Sequence, residues 1–282
     1  MAAPNLPPAV IQMLAAREMR IHHARWHYVR DNWAQMSQQE RDMYEQMGWR
    51  PPRLTGENGA GLDFLFMHRQ MIGHVNQMLA QISDPNYPQV VGWAPIPWDP
   101  NDADWPMPPV YDPQVAWAKD PGLTDQFHGE VANKFENNGW LQNTTLDAAA
   151  TEIETGIHNW LHMHFSAAPW FTGAPGQNQD DPQNDYLGST YSSHVNKAFW
   201  KLHGWIDDRI GQWEQASGQQ ADFSQSWEGP GDMHGPHPFE MRPADRARVM
   251  PLTKAEAAHA ARKFLKPVAP KRRQARAAVA GN

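Results

Sequence analysis

His23-Ala24-Arg25-Trp26-His27 and His158-Asn159-Trp160-Leu161-His162 are two copies of one pattern. Each is completed after a gap of 40 residues by a third histidine, His68 for the first copy and His203 for the second. The echo extends past the imidazoles: Phe64 and Phe199 lie four residues before the last histidines, and Met67 and Leu202 immediately precede them. On an α-helix, residues i and i+4 share a face, so each His-x3-His pair aims two imidazoles the same way. A later helix then supplies the third. A lone His-x3-His is more often packing or coincidence than ligation, but here coincidence would have to repeat at all six positions. The pattern predicts two three-histidine metal sites facing each other in a helical assembly.

Composition narrows the chemistry. The chain has 282 residues with 40% hydrophobic side chains and 14 Trp, enough for a substantial core. It has no cysteine, which excludes disulfides, iron–sulfur clusters, thiolate zinc and cysteine nucleophiles. Any metal must bind through nitrogen or oxygen. A formal charge of −7 argues against general nucleic-acid binding. No apolar run approaches the ~20 residues of a membrane span. Met1 to Val10 has neither a basic start nor an apolar stretch like a secretory signal, so a cytoplasmic location is the expectation.

Apolar periodicity predicts helices over residues 8–35, carrying His23 and His27, and over 62–82, carrying His68. Between them, Ser37-x-x-Glu40 is a capping box opening a helix that ends near Gly48. Residues 83–123 are dense in Pro, Trp and Asp; so many aromatics predict a loop packed onto the domain. A short helix is expected over 124–137, and a longer one over Leu146–Phe165, with His158 and His162. Pro169 to Tyr186 reads as a loop at the rim of a site. Ser192 to Gln215 returns to helix and carries His203. Thr253-x-x-Glu256 opens a last short helix, and the tail from Arg262 to Asn282, with seven Lys or Arg and no acid, is expected to be disordered. The expected architecture is therefore all-α: residues 1–261 as one domain, an antiparallel four-helix bundle with a binuclear site and long Pro/Trp-rich loops.

Ligand type selects the metal. Di-iron and di-manganese bundles use Glu and Glu-x-x-His motifs, because hard cations favour carboxylates. Here Glu152 and Glu154 precede His158 in no such frame. A neutral, all-imidazole set suits copper, with zinc next. Single zinc sites also use three histidines, but zinc gives no reason for a second facing triad. Two copper ions, alternating between Cu(I) and Cu(II) with O2 as co-substrate, are the expected cofactors.

These residues resemble the type-3 copper proteins: tyrosinases, catechol oxidases, arthropod prophenoloxidases and hemocyanins. His22-His23-Ala24-Arg25-Trp26-His27 resembles the first copper motif of the arthropod branch, and Phe66-Met67-His68-Arg69-Gln70 resembles its completion. His158-Asn159-x-x-His162 resembles the start of the second copper site, and Phe199-x3-His203-x2-Ile206-Asp207 its completion. The resemblance implies that His23, His27 and His68 hold one copper and His158, His162 and His203 the other. It implies that Asn159 helps to orient a water that deprotonates a phenol, and that Met163 tunes substrate access. Asp207 is a candidate acceptor for an imidazole N–H, or else the partner of Arg209 or Lys201 in an ion pair. Asn196-Lys197 stands where the family usually has Asp-Pro, and no counterpart of the arthropod blocking Phe can be identified.

Of the other histidines, His194 is expected at the pocket rim near a helix start, and His164 lies off the helical face of His162. The function implied is O2-dependent oxidation of a small phenol: o-diphenols to o-quinones, with monophenol hydroxylation as an extension. An o-aminophenol oxidase and a hemocyanin-like O2 carrier are the alternatives. No nucleic-acid or membrane partner is expected. Nothing in the sequence sets the oligomeric state.

Overall fold

A computed structural model describes residues 5–53, 58–227, 229–230 and 250–261. Every regular element among them is helical, so the all-α expectation stands. None of these helices is long and apolar enough to cross a membrane. The basic tail from Arg262 onward lies outside the described residues.

The first expected helix is two, α1 (Pro8–Leu14) and α2 (Arg17–Asn32). The chain turns extended at Ala16, with φ −58° and ψ 139°, although no Gly or Pro marks the place. Arg20 gives the physical reason. Its guanidinium is fully buried and donates to the carbonyls of Ala15 (2.9 Å), Asn184 (2.8 Å) and Asp181 (2.9 Å). A buried charge must find acceptors, and the break exposes carbonyls that a continuous helix would use internally. The Leu14 carbonyl is released in the same way.

Helix α3 (Gln38–Gln46) opens with the predicted capping box: the Glu40 carboxylate accepts from Ser37 N–H at 2.8 Å, and Ser37 Oγ accepts from Glu40 N–H. Helix α4 (Ala60–Ile82) is capped from outside, where the Asp147 carboxylate accepts from the N–H groups of Gly59, Gly61 and Leu62. A carboxylate at a helix N-terminus satisfies orphan donors and complements the dipole.

Residues 83–120 do pack onto the domain. Trp93 and Ile96 are buried, Trp98 stacks on His128 with centroids 4.7 Å apart, and Pro113–Lys119 form 3-10 turns. Helix α5 (Pro121–Glu130) starts earlier than predicted and passes into a π turn, Val131–Phe135. A short α6 (Asn138–Gln142), which periodicity does not announce, follows. Helix α7 (Leu146–Ile153) continues through a second π turn, Glu154–His158, into α8 (Asn159–His164). Asn196 caps α9 (Lys197–Ser217), its Oδ1 accepting from Ala198 N–H at 2.9 Å. Last comes α10 (Lys254–Ala260), which packs on α2 through the buried Arg25–Glu256 pair at 2.6 Å.

The 83–120 loop meets α9 backbone to backbone. Trp93 N–H donates to Lys201 O at 3.1 Å, and a Cβ on Gly204 would sit 2.6 Å from Gly92 N. Gly204→Ala is therefore expected to force the two backbones apart at a cost of about 1–3 kcal/mol, the usual range for overpacking. Urea unfolding of the variant measures it. Unchanged stability would mean that the loop does not rest on α9.

Candidate metal centre

Helices α2, α4, α8 and α9, with the π turn before α8, bring the six patterned histidines together. All six are buried, none more than 2% exposed. His23 and His27 lie with ring centroids 4.9 Å apart, and their centroids are 6.1 and 6.0 Å from that of His68. His158, His162 and His203 form a second group, at 4.6, 5.2 and 5.5 Å. The groups join where His68 stacks on His203 at 4.2 Å and 22°. Ligand nitrogens lie within 4.8 Å of one another in two sets, His23–His27–His68 and His68–His158–His203. Either buried triad could hold a metal ion. The first is the triad expected from sequence; the second has His68 in place of His162. His162 stays close, its Nε2 3.1 Å from His158 Nε2.

Hydrogen bonds set which nitrogen of each ring is available. His68 Nδ1 donates to Phe64 O (2.9 Å) and His203 Nδ1 to Phe199 O (2.8 Å), each folding back one turn on its own helix. The matched Phe positions are thus also the matched anchoring carbonyls. His162 Nδ1 donates to Leu187 O (2.8 Å), and His158 Nδ1 to Asn159 Oδ1 (3.1 Å). These oxygens only accept, so the proton sits on Nδ1 and the Nε2 lone pair points inward. Between His158 and His162, two such lone pairs confront each other, which a cation between them would satisfy. Buried Nε2 atoms of His23 and His203 have no hydrogen-bond partner among the described residues. Orphaned buried nitrogens call for an explanation, and a metal supplies one.

Charge agrees. Burial first, then neighbouring imidazoles, hold His23 and His203 well below the ordinary histidine value. For His23 those neighbours are His194, His68 and His162, opposed by the Thr190 carbonyl; for His203 they are His68, His158 and His162, opposed by that of Phe199. Both rings are neutral at pH 7, the state that ligates. The surroundings are apolar. Phe199 stacks on His203 at 3.8 Å and also reaches His23 (5.5 Å) and His162 (5.8 Å). Phe64 does the same between His68 (4.7 Å) and His158 (4.9 Å).

The remaining candidates are placed as follows. Asn159 is half-buried and its amide oxygen is engaged by His158. Asp207 accepts from Arg69 Nε at 2.7 Å, a pair between α9 and α4. The hydrogen bond it makes among the described residues thus goes to the α4 guanidinium, in place of the expected imidazole N–H, Arg209 or Lys201. Met163 is fully buried, close to Gly188, where a Cβ would come within 2.9 Å of its Sδ. His194 is also fully buried, not at an exposed rim: its Nδ1 lies 3.1 Å from His23 Nδ1, and its Nε2 donates to Leu14 O at 3.0 Å. Burial, with the Arg20 guanidinium next, pushes His194 down to about 3. His164 is structural, its Nδ1 donating to Ala118 O at 2.8 Å. Lys119 donates to the His164 and Ser166 carbonyls, and burial pushes its amine down to about 7.

Residues of the Pro169–Tyr186 loop border a cavity of about 420 Å³, shared with Arg17, Tyr191 and Leu252 and lined by none of the six histidines. Gly229 to Pro243, whose prolines, His234, His237 and Phe239 make it the other stretch of sequence suited to border a site, has only Gly229 and Pro230 among the described residues. Sequence reasoning missed the anchoring carbonyls and the part of His194; a backbone carbonyl has no signature in sequence. No protein-family model matches this chain, and comparison with curated proteins gives no match either, so its function is read from the histidine geometry alone.

Proposed function

We propose that the chain is a copper-dependent phenol oxidase of the type-3 kind. In this reading α2, α4, α7–α8 and α9 form an antiparallel four-helix bundle, with one copper held by His23, His27 and His68 and a second by His158, His162 and His203. The observation that carries it is the set of six buried imidazoles in two adjoining groups, whose ligand nitrogens gather in triads with no carboxylate among them. Neutral nitrogen donors of this kind favour copper over the harder divalent ions. The close approach of His68 to His158 and His203 leaves His162 out, yet the 3.1 Å gap between His158 and His162 Nε2 supports a metal shared by that pair. Three ligands per ion then use all six.

When bound, a copper pair would supply Lewis acidity and pass electrons to O2 two at a time, each pair of electrons coming from one diphenol. Two o-diphenols and one O2 give two o-quinones and two waters. The protein's own part is to keep the rings neutral, fix their Nε2 atoms inward, and exclude water with Phe64, Phe199 and Trp26. A hemocyanin-like O2 carrier is the second reading, favoured by one observation: no histidine of the cluster lines the 420 Å³ cavity.

The deciding experiment is anaerobic Cu(I) loading, then O2 addition, with catechol, o-aminophenol and monophenol oxidation assayed on the same sample. The expected result is two coppers per chain, an intense near-ultraviolet band on O2 addition, and catechol turnover. The band without turnover, reversible on degassing, would favour the carrier. One tightly bound zinc and no such band after copper reconstitution would sink the assignment.

A further inference from the structure

His194 belongs to neither histidine copy, yet it is as buried as any of the six. Both its nitrogens are engaged. Nε2 meets the Leu14 carbonyl, which can only accept, so Nε2 carries the proton. A neutral His194 then has a bare Nδ1, and the atom 3.1 Å from it is His23 Nδ1. That hydrogen bond exists only if His23 donates. His23 is thereby fixed as the Nδ1–H tautomer with its lone pair on Nε2, the buried atom that has no hydrogen-bond partner among the described residues. His68 and His203 reach the same state through carbonyls of their own helices, and His162 through Leu187; His23 reaches it through a second imidazole, with the Thr190 carbonyl beside it.

The fold supplies each step. The helix break at Ala16 releases the Leu14 carbonyl from the helical ladder, and 3-10 turns over Ser193–Val195 place His194 against it. Trp200 Nε1 donates to the His194 carbonyl at 2.9 Å, and the His194 ring meets His23 edge-on at 4.9 Å. We propose that His194 is a positioning residue: it relays the Leu14 carbonyl to His23 and holds the His23 Nε2 lone pair toward the metal, without itself being a ligand. This rests on the reading of His23 as a metal ligand, but not on the identity of the reaction.

The test has two arms. In metal-free protein with 15N-labelled histidine, long-range 1H–15N correlation reads the His23 tautomer directly; Nδ1–H is expected. A His23 proton on Nε2 would overturn the proposal, whatever the metal or activity. In the second arm, Cu(I) alone is titrated against a chromophoric chelator. His194→Leu, which can neither accept nor donate, is expected to weaken one of the two Cu(I) sites by about 10–100-fold, the usual effect of losing a ligand's hydrogen-bond partner. His194→Gln can accept from His23 through Oε1 and donate to Leu14 through Nε2, and should bind within a few-fold of wild type. Full affinity in His194→Leu, or equal loss in both variants, would refute a positioning role. Should both variants fail to fold, the wild-type tautomer still decides. Wild-type Cu(I) binding without catechol turnover would count against the oxidase and leave this inference standing.

Discussion

Replacing His203 with Ala is expected to cut bound copper from two ions per chain to one and to abolish catechol oxidation. His203 sits where the two histidine groups meet, stacked on His68 and within 5.5 Å of both His158 and His162. Its Nε2 is a buried nitrogen with no hydrogen-bond partner among the described residues, so on the proposed reading removing the ring deletes a ligand instead of a packing contact alone. One copper cannot deliver both electrons that a two-electron reduction of O2 requires. His164→Ala is the matched control. That ring is as buried, but its Nδ1 is spent on Ala118 O and its position is off the cluster, so both coppers should remain. Metal analysis of the two variants decides the register. Copper lost from His164→Ala but fully kept in His203→Ala would reverse it.

Arg30→Met is expected to destabilise the fold by about 3–5 kcal/mol, the cost of leaving one member of a buried ion pair alone. Arg30 is essentially inaccessible, and its guanidinium spans the Glu154 carboxylate, with one contact at 2.8 Å, and the Ala60 carbonyl at 2.7 Å. Burial works against its charge, and Glu154 outweighs that. Three parts of the chain meet there: α2, the start of α4 and the π turn before His158. The double variant Arg30→Met, Glu154→Met should recover most of the loss, since an apolar pair of similar volume carries no unpaired charge. Urea unfolding of the two variants measures both. A single-variant loss below about 1 kcal/mol, typical of exposed pairs, would mean that the bridge is solvated.

What the sequence makes legible is local. The His-x3-His pairs and the two Phe-x3-His turns are helical periodicities, and each histidine does sit on or beside a helix. The capping boxes at Ser37 and Thr253 are equally local, and both form. What escapes is set by which surfaces meet. That His68 approaches His158 and His203 depends on how α4 lies against its neighbours, and spacing along the chain carries no such information. The break at Ala16 looks like unbroken helix because its cause, Arg20 drawn to carbonyls of residues 181–191, comes from far along the chain. The π turn at Glu154–His158 leaves no mark in composition either; its first residue is paired with Arg30, far back along the chain on α2. Asp207 found Arg69, on another helix, ahead of its own-helix neighbours.

The histidines that converge here enter the chain far apart, from His23 to His203. A metal gripping His23 with His68, or His158 with His203, would close a long loop of chain, and the stack of His68 on His203 would tie those loops to each other. Closing loops restricts the unfolded chain, which is how disulfides stabilise small secreted proteins. This chain has no cysteine and so no covalent staple. Its cross-links would be coordinate bonds, and a chelator would act on it as a reducing agent acts on a disulfide-bonded protein.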